Sequence, residues 1–218
     1  MATLTPQSPP AGGALPAARA NGNPNSPAGL LGELIVSESA PQYYNLIKSG
    51  FVFSLASVTT TALTAFTGGA AGTPLLGLYN PVASGKDLVI LQARLGVRTT
   101  GTTAGTVDFN FFQANQGGVA VTGTQTQARN MYSQASTGSV AYGMVNTANT
   151  AAVASTLVAP SISIGNVTTT AGLNAGLFVD DVKGALIVAP GTYLAFASAA
   201  TLAVASLDAS LIWAELPV

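Results

Sequence analysis

From Gly184 to Leu207 the chain reads GALIVAPGTYLAFASAATLAVASL, without one charged residue. As a helix, a run of this length could cross a bilayer. As strands, it is apolar enough to be covered on both sides of a sheet. Its punctuation decides between the two. Pro190-Gly191 is type II turn chemistry, because Pro presets φ at the second turn position and Gly accepts positive φ at the third. A helix would lose a hydrogen bond and gain backbone entropy at the same place. Beyond the turn the period is two: Ser206, Asp208 and Ser210 alternate with Leu207, Ala209, Leu211 and Trp213. Asp208 would also lie inside any helical continuation, where a charge is costly in lipid. The run is read as strands, with no membrane as partner and Trp213 on the core face.

The same poverty of charge extends through the molecule. Only 7% of the 218 residues are charged, against roughly 25% in ordinary soluble domains. Arg129 and Asp180 bracket fifty residues without a charge. Ser, Thr, Asn and Gln supply some solvation, but a surface this neutral is better kept in solution when other subunits cover part of it. Self-association is therefore expected. Lys and Arg are scattered singly, so no basic cluster exists to grip phosphates, and nucleic acid is not expected as a partner.

Residues 1–41 hold seven of the twelve prolines, among Gly, Asn, Ser and Ala. They show neither helical nor strand periodicity, and their composition is that of an extended arm or linker. Such an arm is either a free tail or a segment that orders on a partner. Arg19 is its only charge before Glu33, and Leu4, Leu15, Leu30 and Leu31 are its largest apolar side chains. These five residues are the candidate partner contacts. The start, MATLTPQSPPAGG, has neither the basic residues nor the apolar core of a secretory signal, so use without export is expected.

Residues 42–218 read as one sheet-rich domain. A short helix is expected within Ser39–Ser49. Strands are expected at Phe51–Leu55, Leu75–Tyr79, Asp87–Arg98, Thr106–Gln113, Gly118–Val121, Leu157–Ile164, Leu173–Val179, Ala185–Val188, Thr192–Ser198 and Thr201–Trp213. In DLVILQARLGVR, Val89, Leu91, Ala93, Leu95 and Val97 alternate onto one face. About ten short strands with little helix point to an all-β, jelly-roll-like antiparallel β-sandwich preceded by the extended N-terminal arm. Thr124–Thr156 fits no period and reads as a long excursion from the sandwich.

The residues for common chemistries are scarce. Without His or Cys there is no imidazole base, no Ser-His-Asp triad, no thiolate and no cysteine metal site. NPVASGKD at Asn80–Asp87 resembles a phosphate loop, but Asn80 replaces the first Gly and Asp87 the final Ser or Thr. An alternating strand, not a helix, follows it, so it reads as a strand connection. Asp180-Asp181 is the one adjacent carboxylate pair and lacks the spacing that converges oxygens on a hard cation. No catalytic, cofactor-binding or metal residues are assigned, and no enzyme is expected.

Three segments carry a family resemblance: GELIVSESAPQYYNLIKSG, LYNPVASGKDLVILQARLGV and ALIVAPGTYLAFASAATLAVASLDASLIWAEL. Together they resemble the capsid decoration, or cement, proteins of tailed bacteriophages with a jelly-roll body. The resemblance implies a homotrimer on the outer surface of an icosahedral capsid, made in the host cytoplasm. It would bind the major capsid protein where capsomers meet, with the arm reaching across the shell. No catalytic residues follow from it. The alternative from another class is a head-fibre or tail-associated module that binds a host glycan.

Overall fold

The computed structural model describes residues 42–59, 66, 71–72, 74–99, 107–117, 121–145, 149–150, 154–164, 176–198 and 206–218. The body, Tyr43–Val218, is one unit, and the arm lies outside the described residues. Among the described residues a single short helix, α1 (Tyr44–Lys48), precedes fourteen strands. They are β1 (Val52–Thr59), β2 (Ala71–Gly72), β3 (Leu76–Tyr79), β4 (Lys86–Thr99), β5 (Val107–Asn115), β6 (Gln125–Thr126) and β7 (Arg129–Asn130). The chain continues through β8 (Tyr142–Val145), β9 (Asn149–Thr150), β10 (Thr156–Ile164), β11 (Gly176–Asp180), β12 (Leu186–Val188), β13 (Thr192–Ser198) and β14 (Ser206–Pro217).

Two antiparallel sheets form the sandwich. Sheet 1 has the order β11-β4-β14-β1-β7, with β12 beside the other half of β4. Sheet 2 has the order β10-β5-β13-β3-β8-β6. Set aside the small strands and the order is that of a jelly roll, with β1, β14, β4 and β11/β12 facing β3, β13, β5 and β10. A separate ribbon pairs β2 with β9.

Burial on both faces of sheet 2 explains the uncharged sequence of β13. All seven residues of β13 are buried. Leu194 and Phe196 enter the core between the sheets, which also holds Phe109, Phe111, Leu95 and Trp213. Tyr193, Ala195 and Ala197 enter a second cluster with Phe66, Tyr79, Phe112 and Met144. Before β13, the amide of Thr192 donates to the Ala189 carbonyl at 3.0 Å, and Gly191 sits at φ 80°. These are the marks of the type II turn expected at Pro190-Gly191.

The single-face alternation expected for β4 needs correction. Ile90 stands opposite Trp213 and Gln92 opposite Ile212, which leaves Leu91 as an extra residue. Such a bulge reverses the parity of the strand. Ala93, Leu95 and Val97 face the main core, but so do Leu88 and Ile90. Val89 and Leu91 point to the outer face of sheet 1, where Leu46 and Ile47 of α1 pack against them with Ala214 and Val52.

Other boundaries also moved. The helix is confined to Tyr44–Lys48, and β14 runs past Trp213 to Pro217. Val121 belongs to no strand, and residues 118–120, 173–175 and 201–205 lie outside the described residues. The excursion proves to be edge material. It places β7 beside β1 in sheet 1, and β8 beside β3 with β6 outside β8 in sheet 2.

Candidate interaction surface

The segments weighed for chemistry turn out to be joints. Asn80 is fully buried, and its Nδ2 donates to the carbonyls of Lys86 at 2.7 Å and Val188 at 2.8 Å. NPVASGKD is thus the β3–β4 connection, pinned through Asn80 to the end of β12. The two carboxylates of Asp180-Asp181 do not act together. Asp180 accepts from Ser161 Oγ of β10 at 2.6 Å, whereas Asp181 accepts from Gln92 Nε2 at 3.1 Å and lies 3.7 Å from Lys183 Nζ. Among the described residues, no group of three or more Asp or Glu side chains is placed to hold a metal ion, and no helix is long and apolar enough to cross a membrane.

One polar centre escaped the sequence reading. Glu215 is fully buried, on the same inward side of β14 as Leu211 and Trp213. Its carboxylate accepts from Ser139 Oγ at 2.6 Å, from the Val140 amide at 3.1 Å and from Lys86 Nζ at 3.1 Å. Trp213 Nε1 approaches it at 3.4 Å. The group ties the excursion to β4 and β14. Its signal was available: the alternation that puts Trp213 inward puts an acid inward two residues later.

The surface is most distinctive along the side where β10 of sheet 2 meets β11 and β12 of sheet 1. Leu177 (70% exposed), Val179 and Ile187 stand on the outer face of sheet 1. Next to them is a depression of about 330 Å³ lined by Ala56, Arg94, Gly96, Leu177, Asp208 and Ser210 among others. On sheet 2, Leu157 (58% exposed) and Val158 border a hollow of about 520 Å³ together with Gln113, Asn115, Thr156 and Thr192. Gln113 donates to the Ile187 carbonyl at 2.7 Å, which links the two flanks across the edge. The opposite side of the sandwich differs, since β6, β7 and β8 extend it there.

No protein-family model, no curated protein and no solved structure matches the chain. The arm residues Leu4, Leu15, Arg19, Leu30 and Leu31 lie outside the described residues. The candidate surface is therefore the one that the body presents.

Proposed function

We propose that this chain is a structural virion protein that decorates the outside of an icosahedral phage capsid as an oligomer, anchored by its N-terminal arm to the major capsid protein. The observation that carries the proposal is the exposed apolar side of a charge-poor sandwich. Exposed apolar patches rimmed by polar residues mark association sites. Two of the segments behind the family resemblance add support, because they pair in space. LYNPVASGKDLVILQARLGV supplies the second half of β3 and most of β4, and the C-terminal segment supplies β12, β13 and nearly all of β14, with β14 paired along β4. The proposed role is mechanical, holding capsid subunits together. Three copies is the number that the resemblance implies.

The glycan-binding alternative asks for an aromatic ring over a polar groove. The hollow beside Leu157 offers amides and hydroxyls, and the side chains that line it are aliphatic or polar. Gln113 is already engaged with Ile187. The structural role is the better fit.

The arm supplies the test. Extended at about 3 Å per residue, forty residues reach on the order of 100 Å, enough to cross a neighbouring subunit. Its prolines restrict the free conformations, which lowers the entropy cost of ordering on a shell. Deleting residues 1–33 is expected to leave a folded, soluble oligomer that no longer co-sediments with undecorated capsids. If the truncated protein decorates as well as the full chain, attachment lies in the body and the anchoring role of the arm is wrong.

A further inference from the structure

Five of the eleven exposed large hydrophobic side chains among the described residues are Leu157, Val158, Leu177, Val179 and Ile187, and all five stand on β10, β11 and β12. These three strands form the outermost position of each sheet on one side of the sandwich. They carry a single charged residue, Asp180, and its carboxylate is already held by Ser161 across the edge. Edge strands are ordinarily blunted by charge, by Pro or by bulges. β10 follows that rule, with Pro160 and two register shifts against β5. β11 pairs regularly with β4, without Pro or bulge, and offers Leu177 and Val179 with Asp180 at its end as its one charge.

The two flanks of this edge are not alike. The sheet 1 flank has three exposed aliphatic side chains beside a depression lined in part by small residues. The sheet 2 flank has two, and Leu157 shares the outer face with Phe112, its cross-strand partner. We propose that this edge is the contact between copies of the chain, with the sheet 1 flank of one copy packed on the sheet 2 flank of the next. Leu157 of one copy then enters the depression bordered by Leu177 in its neighbour.

Charge and area both favour a second copy as the occupant. β10, β11 and β12 carry no charge besides Asp180, and Arg94 and Asp208 at the depression are of opposite sign, so the edge suits a partner poor in charge, as this chain is with 7% charged residues. At their exposures the five side chains hold on the order of 300 Å² of apolar surface, the size of a large patch on a monomer. A standard interface takes about 800 Å² from each partner, so such a patch makes an apolar centre for a polar rim of Gln113, Asn115 and Ser210. Because the contact joins two different patches it is heterologous, the kind that gives a ring where its rotation closes and an open filament where it does not. The ring size of three rests on the proposed virion role, but the flank-to-flank contact does not.

The chain has no cysteine, so introduced thiols are unique. Leu157→Cys and Leu177→Cys are made singly and together, treated with a short bismaleimide and resolved by denaturing electrophoresis. The double variant is expected to form two-chain and three-chain species and nothing larger, while each single variant alone stays a monomer on the gel. Self-linking of Leu177→Cys alone would mean a twofold contact and overturn the proposal, as would a double variant that never links. Native mass spectrometry of Leu157→Asp and Leu177→Asp gives an independent reading. Both are expected to be folded by circular dichroism but monomeric, whereas Tyr132→Asp, elsewhere on the surface, stays oligomeric. Persistence of the oligomer in both aspartate variants would also overturn it. Capsid co-sedimentation of the unsubstituted chain separates the two proposals: an oligomer that fails to decorate defeats the virion role alone, and an unsubstituted chain that decorates as a monomer defeats this contact.

Discussion

At the scale of single residues, Glu215 is the least expected side chain and the most informative. Burying a carboxylate costs several kcal/mol unless a cation and hydrogen bonds compensate it. Here Lys86, Ser139 and the Val140 amide do so, and Lys86 keeps about a third of its side chain in water. Removing only the cation leaves a buried charge short of compensation. Lys86→Met is therefore expected to cost about 3–5 kcal/mol in a urea titration. Combining it with Glu215→Gln should recover a good part of that loss, because the pair is coupled. Additive losses would show that the ion pair carries little weight. Trp213 gives a simpler test. It is fully buried and stacks on Phe53 at 6.3 Å. Trp213→Ala is expected to cost about 3–5 kcal/mol. Asp208→Ala, half-buried on the outer face, should cost much less. Equal losses would contradict the inward and outward assignment along β14.

At the scale of elements, the excursion between β5 and β10 does more than its sequence suggested. It crosses between the sheets and extends both along one side, through strands of two to four residues. Pieces of two residues hold no run of alternation, and β8, at four, is at the lower limit of one, so the pattern does not reveal them. Their placement depends on close approach. A Cβ built on Gly143 of β8 would lie 2.7 Å from the Thr126 carbonyl oxygen and 2.9 Å from Leu55 Cδ1. Gly143→Ala must push β8 away from β6 and from the core. We expect a loss of roughly 1–3 kcal/mol, typical of overpacking. Hydrogen exchange should locate it, with faster exchange at β6 and β8 and little change at β13. Uniform loss of protection would mean that the excursion folds as one unit with the sandwich. The bulge in β4 belongs to the same scale. The Lys183 and Gly184 amides bond to the Leu91 and Ile90 carbonyls, so the link from β11 to β12 continues the pairing across the irregularity.

At the scale of the whole molecule, the described part of the charge-free stretch between Arg129 and Asp180 includes β8, β9, β10 and most of β11, and so much of the apolar edge. Native mass spectrometry at micromolar concentration is expected to show a stable oligomer, and a stable monomer would count against self-association altogether. The arm makes a separate prediction about salt. With Arg19 its only charge before Glu33, its binding would rest on backbone hydrogen bonds and small apolar contacts. Raising the salt to moderate levels should then leave capsid co-sedimentation nearly unchanged. A steep fall would place the attachment on charged groups of the body.

Taken alone, the sequence determined the all-β class, the Pro190-Gly191 turn and the inward side of β14 at Trp213. Each of these is written in neighbouring residues, through turn chemistry or an unbroken period of two. Tertiary structure alone decided the parity of β4, because whether Val89 faces the core or α1 depends on one extra residue set against β14. It also decided the partners of Glu215, which come from positions as distant as Lys86 and Ser139. Which aliphatic side chains stay uncovered was likewise beyond reach of local pattern. Leu177 and Leu95 both look like core residues in the sequence, yet one is 70% exposed and the other fully buried. The difference is set by what packs on each face, and that depends on segments far away in the chain.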